Sequence, residues 1–289
     1  MNLGTVAILG PGLIGGSLAL ALAERGLAER LVIYARSPRR IFDEIRTAGL
    51  EAELTDNPSE AVREADVVVL CVPIEAMAGL VNELRDALKP AALVTDVGSV
   101  KGSVDRNVAP LLDDRALWIG SHPMAGSEQA GFAAARADLF DGAAIAITPT
   151  KHTHREAERR AEQFWQALGG RVIKLTPETH DELVAQISHL PHLLAAALAG
   201  RVSDEALELA GGGFRDTTRV ASGPPDLWAE ILSANAKAVH EHLVHLGLQL
   251  QDFNNALLAE GPVRKSLLLK LLKAGHDARL KLPAKPSKN

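Results

Sequence analysis

Four apolar residues, Val6-Ala7-Ile8-Leu9, run directly into Gly10-Pro11-Gly12-Leu13-Ile14-Gly15-Gly16-Ser17 and then into a further apolar stretch at 18–23. No other part of the chain restricts its fold as strongly, because the pattern reads as a buried strand, a glycine turn and a helix. Gly10 allows the tight turn, Gly12 lets the backbone approach a bound pyrophosphate, and Gly15 permits close packing of helix on strand. The helix start leaves the N–H groups of Leu13 and Ile14 free to meet an anion. A purely structural turn is the competing reading. The strand before and the helix after supply the context that a dinucleotide site requires.

Beyond this unit, apolar runs at 31–34, 67–72, 93–95, 118–120, 144–147 and 172–175 alternate with amphipathic segments such as 76–88. Continuous apolar runs mark strands covered on both faces, and helical spacing between them gives a βαβ rhythm. The later runs can be antiparallel additions. After Thr176-Pro177-Glu178 the character changes to long Ala- and Leu-rich segments at 181–198, 227–258 and 263–272. The chain is therefore expected to be α/β over residues 1–175, as a dinucleotide-binding domain, and all-helical over 176–289. The helices carry more apolar surface than about a hundred residues enclose, which points to a homodimer. A compact monomeric bundle is the alternative. The stretch 282–289 has two prolines and no apolar periodicity, and is read as a mobile tail.

Composition narrows the partners. With 289 residues, 47% hydrophobic and 23% charged, the chain is long and apolar enough for two domains. Its net charge of -5 argues against nucleic acid and anionic membranes, whose binders carry a basic excess, and favours a small-molecule partner. The single cysteine, Cys71, excludes a disulfide framework and sits in an apolar run, so it reads as a packed core residue in a reducing cytoplasm. Met1-Asn2-Leu3-Gly4 has no basic start or cleavage site of a signal peptide. No apolar stretch reaches the roughly 20 residues of a membrane span.

About 20 residues past the glycine turn, the end of the second strand normally carries an acid that binds the adenosine ribose. Here it reads Tyr34-Ala35-Arg36-Ser37, with Arg39 and Arg40 close by. Lacking a carboxylate and offering Arg36 and Ser37 to a 2′-phosphate, this end favours NADP over NAD. The other reading makes these arginines a solvated surface and leaves either cofactor possible. Ligands of such sheets sit beyond the carboxyl ends of strands, so Val72, Pro73, Asp96 and Gly98 join the candidate cofactor residues.

Two loops at strand ends carry candidate chemistry: Thr95-Asp96-Val97-Gly98-Ser99-Val100-Lys101 and Gly120-Ser121-His122-Pro123-Met124-Ala125-Gly126-Ser127-Glu128. Dehydrogenation of an alcohol needs a base for the hydroxyl proton, and histidine titrates in the useful range. His122 is that candidate, with Ser99 as the partner that orients the imidazole or the hydroxyl. A hydrogen-bonded structural histidine is the bland alternative. Ser127 and its neighbouring glycines offer donors to a carboxylate. The helical half adds His180-Asp181, Ser188-His189-Leu190-Pro191-His192 and Gly211-Gly212-Gly213-Phe214-Arg215-Asp216-Thr217-Thr218-Arg219. Arg215 and Arg219 suit carboxylates by their donor geometry, although an ion pair with Asp216 or Glu128 competes. His192 can donate to a second acidic group. His189 and His192, and His242 and His245, lie a helical turn apart, but no glutamate-linked zinc signature accompanies them, so no metal is expected.

Taken in order, these motifs resemble the prephenate/arogenate (cyclohexadienyl) dehydrogenase family over about residues 6–228. The first is common to many dehydrogenases, whereas the histidine, Ser-His-Leu-Pro-His and arginine segments in this order are specific. The resemblance implies a Rossmann domain followed by a helical dimerisation domain. It also implies NAD(P)-dependent oxidation of prephenate to 4-hydroxyphenylpyruvate, or of arogenate to tyrosine, with loss of carbon dioxide, in tyrosine biosynthesis. By matching motif position, His122 is the base and Ser99 positions it. Arg219 grips the ring carboxylate, while Ser127, Ser188, His192 and Arg215 surround the side chain, with Gly212 nearby and Trp228 closing the pocket. Glu128 and Asp216 form an ionic gate, and some groups come from the neighbouring subunit. Two departures stand out. Ala35-Arg36 lacks the acid of NAD-dependent members, and Ser222-Gly223-Pro224-Pro225-Asp226 has no acid directly after Ser222, which favours prephenate. A β-hydroxyacid-type dehydrogenase is the rival enzyme, but its helical-half lysine is not evident near 188–192. A non-catalytic cofactor sensor is the rival of another class.

Overall fold

The computed structural model describes residues 1–113, 115–126 and 129–282, the side chain of Arg40 excepted. The described tail ends at Leu282, so the expected mobile segment falls almost wholly outside it. Eight strands form one sheet: β1 Thr5–Leu9, β2 Arg30–Tyr34, β3 Glu53–Thr55, β4 Val67–Leu70, β5 Leu93–Asp96, β6 Leu117–Pro123, β7 Ala144–Thr148 and β8 Arg171–Lys174. Their spatial order is β3-β2-β1-β4-β5-β6-β7-β8. From β3 to β6 all pairs are parallel; β7 runs antiparallel to β6, and β8 parallel to β7. The antiparallel addition expected late in the chain is thus a single reversal at β7. Strand β3 has no apolar run to announce it, because Glu-Leu-Thr at a sheet edge needs only one face covered.

Sequence order reverses between β1 and β4, which lie side by side in register Val6↔Val67 to Leu9↔Leu70. That reversal opens a crevice beyond the carboxyl ends of the two strands, the place where open α/β sheets bind ligands. Both faces are covered. Ile8, Val69 and Ile119 pack with Leu18 and Leu22 of α1 (Leu13–Glu24) and Phe164 and Trp165 of α6 (Arg155–Ala167). On the opposite face Leu9, Val68 and Leu70 pack against α3 (Pro58–Val62), α4 (Ile74–Leu84) and α5 (Gly102–Leu112). Strand side chains alternate between these two cores, which is why the runs read as continuously apolar. Helix α2 (Pro38–Thr47) follows β2.

After β8 the chain is helical: α7 Pro177–Val184, a π-helical turn at Ala185–His189, α8 Leu190–Ala199, α9 Asp204–Leu207, α10 Gly212–Thr218, a 3-10 turn at Arg219–Ser222, α11 Pro225–Ala234, α12 Ala236–Leu258 and α13 Gly261–Arg279. Pro191 does not end the helix as its ring and missing N–H would suggest. The π turn widens the ladder just ahead of it, so that Pro191 falls in the first turn of α8. Asn235 breaks the stretch 227–258 into α11 and α12. Two compact units result, Met1–Ala236 and Lys237–Asn289, the described part of the second being α12 and α13. Among the described residues no helix is long and apolar enough to cross a membrane.

Candidate functional site

The glycine turn closes on itself tightly and leaves one side open. Gly10 has φ +109, and a Cβ there would stand 2.6 Å from the carbonyl oxygen of Cys71. A Cβ on Gly15 would meet the Gly10 carbonyl at 2.1 Å, so the first turn of α1 packs directly on the backbone it follows. Gly12, the cap residue of α1, faces nothing within 4 Å and supplies no capping side chain. The N–H groups at the helix start, on the half-buried Leu13 and Ile14, therefore border open space. This cradle fits the pyrophosphate of a nicotinamide dinucleotide. Across the crevice stand half-buried Val72 and exposed Pro73, which leads into α4. At the end of β2, Ala35 is buried, while Arg36 and Ser37 are exposed and the Ser37 side chain does not cap α2.

Asp96 occupies a different position from the one its place in the loop suggested. It is fully buried, and its carboxylate accepts from Gly98 N at 2.8 Å and Ser121 N at 3.0 Å and pairs with the Lys101 ammonium. Lys101, itself only 1% exposed, also donates to the Ser121 carbonyl at 2.8 Å. The Asp96 side chain is thus turned into the protein and ties the loop carrying Gly98 and Ser99 to the strand carrying His122. Burial draws the Lys101 pKa below its ordinary value against the opposing pull of Asp96. Removing either partner would strand a charge in the core.

His122 lies on β6, next to its last residue, and is buried. Its Nδ1 is 2.9 Å from Nε2 of His180, a buried residue of α7, and the two rings meet edge to face at 5.1 Å. His180 Nδ1 in turn lies 2.8 Å from Asp181 Oδ1. The Asp181 carboxylate also accepts from Lys101 N at 2.7 Å and Gly102 N at 2.8 Å, and so caps α5, which has no capping side chain of its own. Burial works to raise the Asp181 pKa, but the hydrogen bonds from His180, Lys101 and Gly102 outweigh it and hold the carboxyl below the ordinary range. Burial pushes the His122 pKa well below its usual value, helped by His180, Lys101 and His189, so the ring is uncharged at neutral pH. The partner on its Nδ1 is His180, not Ser99, which is half-buried in the neighbouring loop.

On the helical side the π turn presents Ser188, half-buried, and His189, fully buried. Asn235 Nδ2 donates to the Asp181 carbonyl at 2.7 Å and reaches His189 Nδ1 at 3.1 Å. Because that amide end must be the donor, His189 Nδ1 accepts and its proton sits on Nε2. Burial lowers the His189 pKa to about 4. His192 stacks on Trp228, the rings 3.6 Å apart and 13° from parallel. The buried atoms His189 Nε2 and His192 Nδ1 have no hydrogen-bond partner. Gly212, Arg215, Asp216 and Arg219, on α10 and the turn after it, are all exposed. Ser127 and Glu128 lie outside the described residues.

The structure therefore brings His122, His180, Asp181, Lys101 and Asn235 into one network, with the His192 and Trp228 stack close to His189. In the sequence His180-Asp181 stands out as part of a polar cluster and Lys101 within its loop, with no role given to any of them, and Asn235 is not singled out. The adjacent His180-Asp181 pair was the one signal available. Among the described residues no group of three or more His, Cys, Asp or Glu is arranged to hold a metal ion.

Comparison with known proteins adds a family. The family model for the prephenate dehydrogenase nucleotide-binding domain matches residues 18–174, and that for the prephenate dehydrogenase dimerization domain matches 176–272. The cyclohexadienyl dehydrogenase of Zymomonas mobilis is 36% identical over 284 residues, covering 96% of this chain and 95% of the relative. The crystal structure of prephenate dehydrogenase from A. aeolicus in complex with hydroxyphenyl propionate and NAD+ superposes with a TM-score of 0.85 at 28% identity, covering 97% of each chain. Synechocystis arogenate dehydrogenase gives a TM-score of 0.76 at 30% identity, over 96% of this chain and all of that one.

Proposed function

The chain belongs to the prephenate dehydrogenase family, and on that premise we propose that it oxidises prephenate to 4-hydroxyphenylpyruvate with His122 as base. The observation that carries this reading is the buried, uncharged His122 near the carboxyl end of β6, held by the His180–Asp181 pair at the same end of the sheet as the glycine cradle. A bound nicotinamide dinucleotide supplies the hydride acceptor. His122 takes the hydroxyl proton as hydride leaves the ring carbon that bears the oxygen. The bond from the ring to its carboxylate then breaks, its electron pair restores aromaticity, and the proton held on His122 returns to the phenolate oxygen. Prephenate and NAD(P)+ thus give 4-hydroxyphenylpyruvate, carbon dioxide and NAD(P)H. Holding the base in place and uncharged is most of what the protein must contribute.

In this reading Ser99 contacts the reacting hydroxyl, and Arg219 holds the ring carboxylate. Ser127, Ser188, His192 and Arg215 surround the side chain beside Gly212, with Trp228 as one wall. Exposure of Arg215, Asp216 and Arg219 in a single chain accords with a site completed by a second copy, as does Glu128 in a gate with Asp216. The same pairing covers the leucines exposed along α12 and α13, so the working form is a homodimer. The domain division at 175/176 is supported by the point at which the two family matches meet. At the end of β2 the absence of a carboxylate and the exposure of Arg36 and Ser37 favour NADP. Without an acid directly after Ser222, prephenate is favoured over arogenate, whose ammonium would need one. A single cysteine, which leaves no intramolecular disulfide to form, accords with a reducing cytoplasm.

The test is a grid of prephenate and arogenate against NAD and NADP, following cofactor reduction by purified protein. The prephenate and NADP pair is expected to give the highest kcat/KM. No reduction in any pair would overturn the reading.

A further inference from the structure

Asp181 is anchored independently of His180. Its Oδ1 accepts the Lys101 N–H and its Oδ2 the Gly102 N–H, both at the start of α5. Facing these donors, the carboxylate is an anion and can only accept, so the third contact, at 2.8 Å to His180 Nδ1, places a proton on that nitrogen. His180 in its uncharged form then turns a lone pair at Nε2 towards His122. The 2.9 Å contact between His180 Nε2 and His122 Nδ1 needs one proton, which must come from His122. From this geometry we infer that the Asp181–His180 pair fixes His122 as the Nδ1–H tautomer, leaving its Nε2 lone pair as the base, and receives the proton's charge during turnover. The inference rests on the reading of His122 as the base.

Around the His122 ring stand the Lys101 ammonium, paired with Asp96, from the β5–α5 side, His180 and Asp181 from α7, and His189 from the π turn. His180, Lys101 and His189 all disfavour a cation on His122, and the ring is buried. When Nε2 takes the substrate hydroxyl proton, the Nδ1 proton can shift along the existing hydrogen bond to His180 Nε2. Positive charge then rests on His180, next to the Asp181 carboxylate, and the shift reverses when the phenolate oxygen recovers its proton. No atom leaves the site and no further reactant is needed. His180 and Asp181 are positioning residues here, acting through His122 without touching substrate. This resolves why Asp181 serves both as the cap of α5 and as the end of the chain: the α5 backbone holds the carboxylate still while His180 uses it.

The test compares wild type, His180→Phe, Asp181→Asn and His122→Asn as purified full-length protein. His180→Phe keeps a ring in the packing but removes both nitrogens; Asp181→Asn also weakens the α5 cap, so His180→Phe is the variant on which the inference stands. Expected for His180→Phe is a fall in kcat on the order of 10²- to 10⁴-fold, with cofactor Kd unchanged. A structural effect alone would not alter the proton inventory of kcat in mixed light and heavy water. That plot is expected to be curved in wild type, with two protons moving, and linear in His180→Phe. Wild-type kcat in His180→Phe, or an equally curved inventory, would overturn the relay. Wild-type turnover in His122→Asn would instead remove the base on which it rests.

Discussion

A buried imidazole keeps its usefulness as a base only if it stays uncharged and holds one orientation, and His122 meets both conditions through its neighbours. Burial depresses His122, His189 and His192 together. Each of these groups titrates lower in the folded chain than the roughly 6.5 of an unfolded histidine. Between that value and about 4, where His189 titrates, the unfolded chain binds more protons than the folded one. Stability from these residues is therefore complete above about pH 6.5 and is lost as pH falls towards 4. Urea titrations across that window are expected to give a flat midpoint above about pH 6.5 and a falling one below it; a midpoint constant down to 4 would show that these rings are not held neutral. At this scale the sequence yielded His122, because a histidine in a loop after a strand is a local pattern. It named His180 and Asp181 but not their pairing with His122, 58 positions from His180, or with the Lys101 N–H, 80 positions from Asp181. Such partners are brought together by the packing of α7 on α5, which no local spacing records.

Elements show the same division. The unit formed by β1, the glycine turn and α1 was legible because its constraints are all within ten residues: a left-handed Gly10, an open Gly12 and a Gly15 with no room for a Cβ. Gly15→Ala is expected to lower stability by about 1–3 kcal/mol through overpacking and to weaken cofactor binding with it. Gly12→Ala, which meets no protein atom, is expected to weaken cofactor binding while leaving the thermal midpoint within a degree or two. Equal loss of stability in both variants would mean that the turn is packed differently. Strand β3 escaped notice because three residues at a sheet edge carry no periodicity. Likewise the stretch 181–198 read as one helical segment, and nothing in its spacing announced the π turn at Ala185–His189 that lets the helix carry Pro191. From that widened turn His189 meets both Asn235 and Trp228, and one turn on His192 stacks on Trp228.

For the molecule as a whole, alternation of apolar runs up to residue 175 and its absence afterwards gave the α/β architecture and the helical second half. What the pattern left open is how much of the helical half packs with the sheet: α7 to α11 fall in the same compact unit as the strands, through Asp181, Asn235 and Glu230, which accepts from Glu75 N at the start of α4 at 2.6 Å. His122 on β6 is thereby linked to His180 and Asp181 of α7 and, through the Asp181 carbonyl, to Asn235 at the end of α11, so the proposed chemistry belongs to neither half alone. The most direct measurement follows cofactor reduction and carbon dioxide release from prephenate by wild type and His122→Asn, with cofactor Kd measured in both. Expected is turnover by wild type, a loss on the order of 10²- to 10⁴-fold in the variant, and the same Kd. Turnover by His122→Asn at the wild-type rate would contradict the assignment of His122 as the base.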